Sequence, residues 1–212
     1  METQDNTGLG LIKTTIERVQ NENSLFYSAL KKLVNSSEKE LGNFLNEPKK
    51  QNKQILRLLT SKDKLIIEAT NGDMSIAHSV DIFKEWIDSN FMRWGLDHSS
   101  ENKPEMPVDV YKMIGDATIA EMFGSLSVDL DNLYLTQAQI GEFCYRYPNQ
   151  LGACGNESFF LFKNQGHFSI EFFVARVRVG SSGLRVYPHR LNDNHVWLGN
   201  HGHRVVVPKL AI

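Results

Sequence analysis

The end of the chain constrains the fold most. Residues 158–207 hold four runs rich in aromatic and β-branched side chains: Ser158 to Lys163, Phe172 to Val179, Leu184 to Pro188 and Arg204 to Val207. Gly and Asn residues separate them, so the pattern predicts an antiparallel sheet. Along Phe173 to Val179 the side chains alternate. Phe173, Ala175, Val177 and Val179 share one face, and Val174, Arg176 and Arg178 share the other. Beyond Gly180-Ser181-Ser182-Gly183, the next run puts Arg185, Tyr187 and His189 on one face. Pairing Val179 with Leu184 sets Arg178 opposite Arg185 and Arg176 opposite Tyr187. Like charges directly across a strand pair are mildly destabilising, so this face calls for an acidic group or a bound anion.

Upstream, the pattern is helical. Ile12, Ile16, Val19, Asn23, Phe26, Leu30 and Leu33 alternate spacings of four and three, the seam of a coiled coil or of a helix packed on its neighbours. Asn35-Ser36-Ser37 ends that helix, and Ser37 with Glu40 has the spacing of a capping box for a second one. A third short apolar piece carries Ile55, Leu56, Leu58 and Leu59. Residues 64–70 read as a strand ending at Asn71-Gly72-Asp73. A helical stripe of Ile76, Val80, Phe83 and Ile87 follows, and the polar stretch 97–107 reads as a linker. Val108 to Ile114 and Thr118 to Phe123 read as short helices. Thr136 caps another that runs through Cys144 and stops at Pro148. The expected class is α+β: an N-terminal helical hairpin, a mixed central region and a C-terminal antiparallel β-sheet. The expected division is a helical segment over 1–63 and an α+β domain over 64–212.

Composition narrows the function classes. Residues 1–67 carry 11 basic and 8 acidic side chains, 68–157 carry 5 and 15, and 158–212 carry 7 and 2. The acidic middle can neutralise the basic end within one fold, or the basic end can meet an external anion. The two cysteines, Cys144 and Cys154, are too few for a disulfide scaffold. The chain opens without a basic, apolar leader and holds no run of 18 apolar residues, so no membrane partner is expected and a cytoplasmic location is.

The segments Phe159 to Lys163, Phe172 to Val177, Arg190 to Asp193 with Val196-Trp197, and His203 to Pro208 carry a resemblance. Together with Trp86-Ile87-Asp88 and Phe123 to Leu126, they resemble an uncharacterised family of small bacterial hypothetical proteins. The likeness runs from about Leu65 to Pro208, and this chain is a few residues longer near His167 to Glu171. It implies a self-contained unit of bacterial origin and no particular activity.

No phosphate loop, dinucleotide fingerprint, zincin motif or nucleophile elbow is present. Two constellations remain. Arg176, Arg178, Arg185, Tyr187 and His189 form a basic face with an aromatic for stacking, suited to an anionic partner such as nucleic acid or an acidic protein surface. His195, His201 and His203 with Asp193 offer nitrogen and oxygen ligands of the kind zinc accepts. The leading expectation is a non-enzymatic binding protein that needs no cofactor. The alternatives are a metal-dependent hydrolase built on the histidines, and a scaffold that self-associates through residues 12–33.

Overall fold

Phe159, Phe160, Leu161 and Phe162 are all fully buried. Successive strand residues point to opposite faces, so a strand can bury four in a row only if both its faces are covered. The computed structural model meets that requirement with one mixed sheet of eight strands. It describes residues 54–59, 64–152, 155–165 and 170–210, so the helices and seam expected over residues 1–53 lie outside the described residues. Gln54–Ile212 forms its own compact unit.

In chain order the strands are β1 (Leu56–Leu58), β2 (Leu65–Ile67), β3 (Trp86–Ile87) and β4 (Met106–Met113), then β5 (Glu157–Gln165), β6 (Ile170–Val179), β7 (Leu184–Arg190) and β8 (Arg204–Pro208). Their spatial order is β1-β4-β8-β5-β6-β7-β3, with β2 also pairing β4. The β5–β8 and β7–β3 pairs are parallel and the others antiparallel. Three short helices accompany the sheet among the described residues: α1 (Asn90–Arg93), α2 (Ile119–Gly124) and α3 (Gln137–Arg146).

Two apolar layers follow from the pleat. On one face Val108, Val110, Phe160, Phe162, Phe173, Ala175, Val177, Val186 and Val206 pack with Ile140, Phe143 and Cys144 of α3. On the other, Met113, Phe159, Leu161, Val174, Val205 and Val207 pack with Ile119, Met122 and Phe123 of α2 and with Trp197.

The sheet corrects the expected fold class. It is neither C-terminal nor purely antiparallel: β4, from the middle of the chain, pairs with β8. The segment expected as a helix over Val108 to Ile114 is strand β4. Val108 and Val110 face one layer and Met113 the other, a period of two that β-branched residues favour. The helix expected from Ile76 to Ile87 is a 3-10 turn over Ile76–His78 followed by irregular chain and β3. Ser79 Oγ donates to the Ser75 carbonyl and Ser75 Oγ bonds His78, side-chain contacts that compete with helical ones. The apolar piece around Leu56 is strand β1. Thr136 does cap α3, with a reciprocal bond from its own amide to Gln139. No described helix is long and apolar enough to cross a membrane.

Candidate basic and histidine-lined face

The register between β6 and β7 joins Val179 to Leu184, Arg178 to Arg185, Arg176 to Tyr187 and Val174 to His189. The turn that sets it runs from Gly180 to Gly183, closed by Gly180 N–H donating to the Gly183 carbonyl at 2.8 Å. The basic face expected from alternation therefore exists on the α2 side of the sheet. Two carboxylates from the acidic middle of the chain meet it. Glu85 forms an ion pair with Arg185 and accepts from the Ser182 amide at 3.4 Å. The Arg185 hydrogen bond holds the Glu85 carboxyl below its usual range. Glu157 lies 3.9 Å from Arg176 Nε and 4.0 Å from Arg178 Nη1, longer than hydrogen bonds. Burial raises the Glu157 carboxyl, and the two arginines offset this only in part. Arg178 keeps 46% of its side chain exposed.

The structure carries the second constellation to the same place. The segment after β7 returns across this face and is tied to residues 115–117. Trp197 and Ala117 exchange both backbone bonds, at 2.8 and 3.1 Å, and Asp116 Oδ1 accepts from the Gly199 amide at 2.9 Å. A Cβ at Gly199 would sit 2.5 Å from the Gly115 nitrogen, so only glycine permits the approach. Gly202, at φ 70°, then turns the chain into His203 and β8.

Trp197 is the centre of the arrangement. His189, His195 and His203 stand edge-on to its indole with centroids 6.2, 4.7 and 5.3 Å away. Arg176 places its guanidinium 4.4 Å from the Tyr187 ring centre and 5.5 Å from that of Trp197. Stacking of this kind favours a cation and fixes its orientation. His189 Nδ1 donates to Asp193 at 3.0 Å, and burial still pushes its pKa down. His203 Nδ1 accepts from the Glu157 amide at 3.0 Å, which fixes a neutral ring with its proton on Nε2. Burial, then the nearby His201 and Arg176, push His203 down to about 4.

The expected metal ligands are arranged differently from a ligand set. His201 and His203 do not share a strand: His201 ends a 3-10 turn and is exposed, whereas His203 is buried just before β8. Asp193 is engaged with His189 and the His195 amide. Among the described residues, no group of three or more His, Cys, Asp or Glu is arranged to hold a metal ion.

Sequence reasoning missed Glu157, Glu85 and the central part of Trp197. Glu157 had a signal: it heads a run of buried apolar residues, where a charge is forced into the sheet. Trp197 is a lone large aromatic in a polar stretch, and nothing local says which face it covers. No family model, curated protein or solved structure matches the chain. Its chemistry is read from this geometry.

Proposed function

We propose that the protein is a binding module whose basic face takes an anionic partner, with single-stranded nucleic acid the partner that suits it best. The observation that carries this reading is the Arg176–Tyr187 stack beside the exposed Arg178. It sets a cation that contacts phosphate next to an aromatic surface on which a base stacks. Arg185 contributes less, because Glu85 already neutralises it. His189 borders the stack on the same strand face. The reading requires no cofactor. Cys144 is a free buried thiol, which fits a reducing compartment such as the cytoplasm.

Fluorescence anisotropy with a hydroxyl-ended single-stranded RNA or DNA tests it. Binding should be strongest at low ionic strength and fall as salt rises, because phosphate contacts release counterions. Arg178→Gln should weaken binding to all sequences alike and reduce the magnitude of the logarithmic salt slope by about one. Absence of binding by the intact chain at low ionic strength would overturn the reading.

A further inference from the structure

Among the described residues, five buried polar atoms of this face have no hydrogen-bond partner within the chain: Arg185 Nε, which stands apart beside Glu85, and four around Trp197, namely Arg176 Nε, Trp197 Nε1, His203 Nε2 and Glu157 Oε2. These four belong to side chains in contact with one another. Trp197 abuts both His203 and Arg176, and Arg176 Nε is 3.9 Å from Glu157 Oε2. Trp197 is 8% exposed, Glu157 6% and His203 3%. The first three of the four are donors. The indole can only donate, the guanidinium can only donate, and His203 carries its proton on Nε2 because Nδ1 accepts from an amide. The fourth is an acceptor. Leaving such atoms unpaired in the interior is costly, so the cluster is complementary to a group with several acceptor oxygens and one donor.

We infer that Arg176, Trp197, His203 and Glu157 form a seat for a singly protonated tetrahedral oxyanion, a hydrogen phosphate or a phosphomonoester, and that the seat discriminates against sulfate. The inference rests on the reading of this face as anion-binding and names the chemical group it takes. In hydrogen phosphate three oxygens accept from the three N–H groups; in a singly protonated phosphomonoester two do, and the ester oxygen is the third acceptor. The remaining P–O–H donates to Glu157. A phosphomonoester loses its second proton only near pH ~6, so keeping it near neutrality costs little. Sulfate has no proton to offer, and its oxygen would face the carboxylate as one negative group against another.

Calorimetric titration of the full chain with sodium phosphate and sodium sulfate at equal ionic strength tests this. Phosphate should bind at least about tenfold more tightly than sulfate, the worth of one charge-assisted hydrogen bond. Glu157→Gln should erase most of that difference, because its amide N–H donates to either ion. Trp197→Phe, which keeps a ring and removes the donor, should weaken phosphate about tenfold. No phosphate binding, equal binding of the two ions, or discrimination that survives in Glu157→Gln would each overturn the inference. A strand bearing a 5′-phosphate that binds more tightly than its hydroxyl-ended twin assigns the seat to strand ends, and equal binding assigns it to the free ion. The two readings fail separately. Hydroxyl-ended strands that bind while phosphate does not would sink only the seat, and the reverse would sink only the nucleic-acid reading.

Discussion

His203 is 3% exposed and spends its one free lone pair on the Glu157 amide. Its ordinary pKa of 6.5 falls to about 4 in the fold. The sign of the consequence is fixed. As pH falls below about 6.5 the unfolded chain takes up a proton that the folded chain refuses until about pH 4, so stability is full above that window and lost through it. The loss can reach on the order of 3 kcal/mol. Glu157, raised by burial, works in the opposite sense: its contribution is lost as pH rises through its folded pKa. His189 works in the same sense as His203. Both remain in a His203→Asn variant, whose side-chain oxygen can still accept from the Glu157 amide. Urea denaturation from about pH 7.5 to 4.5 should show the wild type losing stability relative to the variant. Parallel profiles would show that the imidazole is not held neutral. None of this was legible from the two-residue spacing of His201 and His203, which on a strand would put both rings on one face. β8 begins only at Arg204, after the turn at Gly202, so neither histidine lies on the strand.

The hairpin of β6 and β7 is the element whose sequence reading survives most fully. Alternation assigned its faces, and the Gly180 to Gly183 turn assigned its register. The like-charge contact of Arg178 and Arg185 was therefore visible in the sequence, and so was the need for something to offset it. Which carboxylates do so was not visible, because Glu85 reaches the hairpin only through the parallel pairing of β3 with β7. Glu85→Gln should lower the melting temperature at low salt by leaving Arg185 without its carboxylate opposite Arg178, and added salt should shrink the difference. The same variant should bind a single-stranded oligonucleotide more tightly. Unchanged stability at low salt would show that the Glu85–Arg185 pair offsets nothing. The element most misread was β4. Its Val108 and Val110 alternate cleanly, yet a short window with Met and Tyr also satisfies a helical stripe.

At the scale of the molecule, β1 ties the start of the described chain to the sheet. Leu56 is 7% exposed, and Leu56 to Leu58 pair with Met113 to Tyr111. A fragment beginning at Gln54 should therefore fold as the full chain does. One beginning at Lys64 would lose β1 and should be destabilised by roughly 2–5 kcal/mol, the range for removing one buried leucine. Guanidinium denaturation of the two fragments measures this, and equal midpoints would show that β1 is dispensable. Light scattering of the full chain beside the Gln54 fragment tests the seam of residues 12–33, with a lower mass expected once that segment is removed.

Local chemistry made several features readable from sequence alone: the alternation of β6 and β7, the turn between them, the capped helix after Thr136, and the uneven distribution of charge. Each depends on residues within a few positions of one another, where period and turn geometry act directly. Tertiary structure alone decided the rest. The apolar runs Phe159 to Phe162 and Val205 to Val207 mark strands covered on both faces, but their partners come from β4, α2 and α3, up to about a hundred positions away. The candidate face shows the same limit. Its arginines and histidines looked like two separate signals, and one long loop laid across the sheet brings them together around Trp197. Sequence period specifies which way a side chain points, whereas the pairing of distant strands specifies what it meets.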